Sequence, residues 1–307
     1  MRDNWCDCLA IWMDRLGTKE VHQPLVGRFL REITNREFEP LERELEWSKN
    51  LDKWASELEQ SAKAFPENAK KLAMEDVNRF LGPPTKQEQL KIEERIRDAV
   101  KIEIHVQRIS DALIFATPLN TPMGLVNTRG IAHVMGWSSS TFLASLAAGF
   151  PLRAAAAVGV GRITSNNSLI GPVLQEAYLL EQEQPPGTVN GKRISNWSRF
   201  RVSQKFVEFV SECKKSNDYS DRQCGNICEE FFIEDVTCTT VVNYAARYVP
   251  SRNELVCHAY RTAMLQIDRL SGLENASRRT GWERVMHFLR DQASDVIDSP
   301  AIINQRR

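Results

Sequence analysis

A chain of 307 residues, 42% hydrophobic and 26% charged, can bury a sizeable core as one large domain or two small ones. Lys plus Arg and Asp plus Glu both total 40, so no global field recruits nucleic acid or an acidic membrane. Met1–Trp5 opens no apolar signal-like run, and the most apolar window, 141–160, is broken by Gly149, Pro151 and Arg153; a cytoplasmic protein without a membrane span is expected.

Residues 5–14 read as a strand, aromatic and apolar up to Asp14, with a turn at Gly17. From 23 to 101 charged residues dominate. Apolar positions there recur at helical spacing (Phe29, Ile33, Leu41, Leu45, Leu51, Trp54), and Pro66 and Gly82-Pro83-Pro84 divide the stretch into helices. A second strand region runs from Ile102 to Phe115 and contains Asp111. A helix is expected over 139–148, capped by Ser138 or Ser139 and closed by Gly149. Pro151–Gly159 has a helix former's alanine content, yet its bounding Gly and Pro residues and apolar ends suit a buried strand.

A helix follows from Gly171-Pro172 to Glu181, with proline in its first turn. Phe200–Ser203 and Phe231–Ile233 read as strands, separated by a helix over 204–213 and a polar loop. Helices are expected again at 255–270 and 278–291. Seven cysteines carry only two close pairs, Cys6-x-Cys8 and Cys224-x3-Cys228, neither with zinc-ribbon spacing, so they read as reduced structural thiols. A metal site from Cys224, Cys228 and His258 is the sharper alternative. His22, His105, His133 and His287 are scattered.

The order of motifs carries more than any one of them. Asp14 precedes Arg15-Leu16-Gly17; then come Ile109-Ser110-Asp111, Pro151-Leu152-Arg153-Ala154-Ala155-Ala156-Ala157-Val158-Gly159, and Gly171-Pro172-Val173-Leu174-Gln175-Glu176-Ala177-Tyr178-Leu179-Leu180-Glu181. This order resembles the class III nucleotidyl cyclase catalytic domain, most closely bacterial cyclase-like proteins with a helical insert between the two metal strands. The resemblance covers 5–21 and 102–235. It implies an α+β fold: a ferredoxin-like core over 1–22 and 102–250, an antiparallel sheet with helices on one face. Residues 23–101 form a helical insertion and 251–307 a helical C-terminal extension on that core.

The activity implied is conversion of a nucleoside triphosphate to a cyclic nucleotide and pyrophosphate, assisted by two Mg²⁺ or Mn²⁺ ions. By the same resemblance Asp14 and Asp111 hold the metals, and Arg15, Leu16, Gly17 and Thr18 turn backbone N–H groups to the triphosphate. Gln107 and Ser168 fall at the base-reading positions, though as ordinary polar residues they select no base strongly. Arg108 could reach phosphate or be a solvated charge. Gln175 falls where active enzymes carry a transition-state Asn, and Leu179 where they carry an Arg; Leu donates nothing. Arg153, Arg162 or Arg201 could substitute. Sites in this class form between two chains, so a homodimer is implied. The competing readings are an inactive pseudo-cyclase, binding a nucleotide or a protein as a dimeric module, and another metal-dependent phosphoryl enzyme such as a nucleotidyltransferase or phosphohydrolase.

Overall fold

The computed structural model describes residues 5–15 and 104–244, with breaks at 110–111, 123, 148–151, 165–167, 184–187, 190–191, 194–198 and 235–238; elsewhere it describes only isolated residues at 49–60, 86, 262–263 and 285. The expected helices of the insertion and of the C-terminal extension lie outside the described residues, apart from those isolated positions.

Among the described residues, ten strands and four helices make a mixed α+β fold. Strand β1 spans Trp5–Arg15, β2 His105–Ile109, β3 Ala112–Pro118, β4 Leu152–Ile163 and β5 Leu169–Ile170. Four short strands, β6 (Thr188–Val189), β7 (Lys192–Arg193), β8 (Phe200–Val202) and β9 (Phe232–Glu234), precede β10 (Thr240–Val242). Helix α1 spans Thr128–Ala147, α2 Pro172–Gln182, α3 Gln204–Lys215 and α4 Tyr219–Glu229. The main sheet runs β2-β3-β1-β4-β8-β10-β9, with β5 hydrogen-bonded to β4, while β6 and β7 pair separately. Every pairing is antiparallel except β4 with β8.

β1 is central, pairing with β3 from Cys8↔Pro118 to Met13↔Leu113 and with β4 from Trp5↔Arg162 to Arg15↔Leu152. Its side chains alternate between two cores. Leu9, Ile11 and Met13 pack with Leu113, Phe115, Phe142 of α1, Phe206 and Val210 of α3, and Cys224 and Cys228 of α4. Cys8 and Ala10 pack on the other face with Ile114, Ala116 and with Val173 and Ala177 of α2. The expectation of helices on one face is therefore corrected: α1, α3 and α4 lie on one face of β1, and α2 covers the opposite face. Ala263 and Val285 join the larger core.

Several elements depart from the sequence reading. The region expected as one strand is a hairpin: Ile109 pairs with Ala112, so β2 turns back into β3 across residues 110–111. α1 begins eleven residues before the expected Ser139, because the cap is Asn127. Its Oδ1 accepts from Gly130 N at 3.0 Å, and its Nδ2 donates to Thr117 Oγ1 and Pro118 O, both at 2.9 Å. A Cβ at Gly130 would come within 2.4 Å of that amide. Asn127→Ala strips a buried three-bond cap and is expected to cost about 1–3 kcal/mol in urea unfolding; a loss below about 0.5 kcal/mol would contradict this account.

β4 runs on through Gly159-Val160-Gly161, where the sequence reading ends it. The polar stretch after α3 is α4, capped by Asp218, whose Oδ1 accepts from Ser220 N at 2.7 Å and Asp221 N at 3.2 Å.

Candidate functional site

Strand alternation decides what surrounds Asp14. Even-numbered residues of β1 face α2, so Asp14 shares a face with Trp12 and Cys8 and is half-buried. Its register partner on β4 is Arg153. Trp12 pairs across to Ile114 on one side and Ala155 on the other, and Ile114 pairs with Gln107. One rung of the sheet thus carries Gln107, Ile114 and Trp12 side by side, with Asp14 two residues further along β1.

Helix α2 roofs β1 and β4 on this face. Tyr178 meets the Trp12 ring edge-on at 5.2 Å between centroids, while the indole Nε1 is buried and donates to nothing in the structure. Glu181, fully buried in the last turn of α2, lies 2.6 Å from Arg153 Nε through its Oε1. Arg201 Nη1 donates to Leu180 O at 3.0 Å and meets the Glu183 carboxylate at 2.9 Å; Arg199 Nη2 donates to Glu183 O at 3.2 Å. Guanidinium groups at the negative end of the helix dipole hold the C-terminus of α2 on the sheet. Arg153 and Arg201 are therefore committed to α2 as the structure stands.

Gln107 and Ser168 are brought together. Gln107 Oε1 accepts from Leu169 N at 3.2 Å, next to Ser168, whose own backbone closes a loop with Thr164 (Thr164 N to Ser168 O, 2.9 Å; Ser168 N to Thr164 Oγ1, 3.2 Å). A backbone N–H only donates, so the Gln107 amide oxygen must face Leu169, leaving the Nε2 donors for other partners. Arg108 forms an ion pair with Asp52.

Gln175 and Leu179 are not on this face. Both are exposed on the outer side of α2, Leu179 at 53%, in a cavity of about 420 Å³ lined also by Glu176, Leu180, Ser203 and Gln204. Arg15 closes β1 opposite Leu152. Leu16, Gly17, Thr18 and Asp111 lie outside the described residues, as does His258. Sequence reasoning passed over Trp12, Glu181 and Arg199. A strict period-two reading of β1 would have found Trp12, since it is two residues from Asp14.

Among the described residues no three His, Cys, Asp or Glu side chains gather to hold a metal ion. Asp14 offers one hard oxygen donor at a partly open position, which suits a cation held by two carboxylates and a substrate's phosphates. No disulfide joins the five described cysteines. The Cys213 thiol is pushed well up by its hydrogen bond to Cys224 and then by burial. At Cys224 the contact with Cys213 pulls down, but the contact with Cys228 and burial outweigh it. Both effects favour the protonated thiol, which suits a structural role between α3 and α4.

The sequence matches no known family's profile, and neither curated proteins nor solved structures provide a match. No helix among the described residues is long and apolar enough to cross a membrane.

Proposed function

We propose that the chain is a divalent-metal-dependent, nucleotide cyclase-like protein that converts a nucleoside triphosphate to a cyclic nucleotide and pyrophosphate. The observation that carries this reading is a strand order. β4, β1, β3 and β2 are neighbours in that order, all antiparallel, an order that supports a ferredoxin-like reading and in which the Asp14 end of β1 lies toward the β2–β3 connection. Met13 pairs with Leu113, one residue from the Ala112–Ile109 closing pair, and the two linking residues are Ser110 and Asp111. Asp14 and Asp111 would together hold Mg²⁺ or Mn²⁺, which when bound neutralises charge on the phosphates.

In this reading the ribose 3′-oxygen attacks the α-phosphorus and the bond to the pyrophosphate oxygen breaks. Trp12 walls the face beside Asp14 and offers its indole N–H to an acceptor. Gln107 and Ser168 meet the base, with the Gln107 donors favouring a carbonyl edge. By the resemblance, Arg15, Leu16, Gly17 and Thr18 would supply backbone N–H groups to the triphosphate. Gln175, on the outer face of α2, would serve the site of a second copy, so the working unit is a homodimer. The competing reading, an inactive dimeric pseudo-cyclase, is favoured by one observation: Leu179 stands exposed beside Gln175 and donates nothing.

Mass spectrometry of products from the full chain with Mn²⁺ and each of ATP, GTP, CTP and UTP tests this. A cyclic monophosphate is expected from at least one, falling about 100-fold or more in Asp14→Asn. No product from any of the four, with the dimer intact, would leave the pseudo-cyclase. Undiminished turnover in Asp14→Asn would remove the mechanism.

A further inference from the structure

We propose that Cys6 and Cys8 are a reactive dithiol that low-molecular-weight disulfides convert to an intrachain Cys6–Cys8 disulfide, Cys6 being the entry thiol and Cys8 the resolving one. Both lie on the α2 face of β1, and their sulfurs are in contact at 3.4 Å. Their exposures differ as the two roles need: Cys6 is partly open, and Cys8 is fully buried.

The opposing strand leaves room. Cys6 pairs with Gly161 and Cys8 with Gly159, so no β4 side chain stands across from either thiol. A Cβ at Gly161 would come within 3.5 Å of Cys8 Sγ. Trp5 and Cys6 sit before the start of the β1–β3 ladder and are laddered to β4 alone.

Exchange proceeds in two balanced displacements. The Cys6 thiolate attacks one sulfur of the small disulfide, whose S–S bond breaks and releases one thiolate. Cys8, deprotonated, then attacks the Cys6 sulfur of the mixed disulfide and releases the second. The protein loses two hydrogens, and the small disulfide becomes two thiols. Residues two apart on a strand lie about 6.4–6.8 Å apart at Cα, the far end of the range a disulfide spans. The bridge therefore puckers the start of β1 and is easily reduced, the mark of a regulatory rather than a structural disulfide.

Arg2 and Arg15 flank both cysteines, so trypsin delivers them on one peptide, Asp3–Arg15. Folded full-length protein is equilibrated in glutathione buffers of rising oxidised fraction, quenched in acid, unfolded, alkylated, and mapped by mass. The peptide is expected to lose two hydrogen masses as the oxidised fraction rises and to regain them with dithiothreitol. Cys8→Ser should instead accumulate a glutathione adduct on Cys6, and Cys6→Ser should acquire neither adduct nor bridge. Circular dichroism checks that each variant is folded. A wild-type peptide that remains fully alkylated in pure oxidised glutathione overturns the proposal, and this arm needs no variant to fold. An adduct on Cys8 in folded Cys6→Ser overturns the assigned roles.

Discussion

Arg153→Met is expected to lower stability by about 3–5 kcal/mol, read as a fall in the urea midpoint at constant slope. The Glu181 side chain is 0% exposed and that of Arg153 12%, with the charged atoms 2.6 Å apart beneath the last turn of α2. Removing the guanidinium leaves a buried carboxylate whose desolvation it had offset. The pair itself is a different matter, because two charges taken out of water gain little over apolar groups of similar volume. Arg153→Met combined with Glu181→Leu should therefore recover most of the loss. A single variant within about 1 kcal/mol of wild type would mean that water already reaches the pair.

Gly171→Ala is expected to cost at least about 3 kcal/mol, by two additive routes. Gly171 precedes α2 with φ 124° and ψ −178°, a backbone region that residues with a Cβ essentially do not enter. Its missing Cβ would also lie 2.8 Å from Trp5 Cζ3 and 3.2 Å from both Gly161 Cα and Val160 O. The ring can move, but the β4 backbone cannot without loosening its pairing to β1. Adding Trp5→Ala should hence recover only a minor part of the loss, and full recovery would show that the ring contact alone mattered. Thermal unfolding of the wild type, Gly171→Ala and the double variant distinguishes the outcomes.

Much of the architecture was readable because burial and period agreed. β1 and α2 show apolar residues at the spacing their geometry demands, and both are found where expected. The alanine run of β4 was readable only against helix propensity. Ala154, Ala155, Ala156 and Ala157 are all at most 1% exposed, and their small size lets helices close on both faces of a central strand. α4 escaped because its inner face consists of Cys224, Gly225 and Cys228, a weak apolar signal in a polar stretch. Gly225 is there for contact, since a Cβ would meet Lys214 N at 2.8 Å. The start of α1 escaped because Asn127 lies among turn-forming residues, and its capping role depends on Thr117, ten residues back.

In the site, Asp14 stood out as the residue ending an apolar strand. The Gln107–Ser168 neighbourhood was anticipated only through family resemblance. Glu181 and the arginines that hold α2 were hidden, because a buried ion pair looks like any two surface charges until the fold brings them together.

The central position of β1 bears on how the chain is made. During synthesis the strand emerges before both of its neighbours, β3 and β4, which are encoded on the order of a hundred residues later. At ~5–20 residues per second, Trp5–Arg15 waits on the order of 10 s with two bare edges and a row of apolar side chains. Seating it closes loops of about that length, which places it late on the folding route. A nascent chain stalled before β4 is thus the species that chaperones should recognise, and the eleven residues of β1 are the segment they should shield.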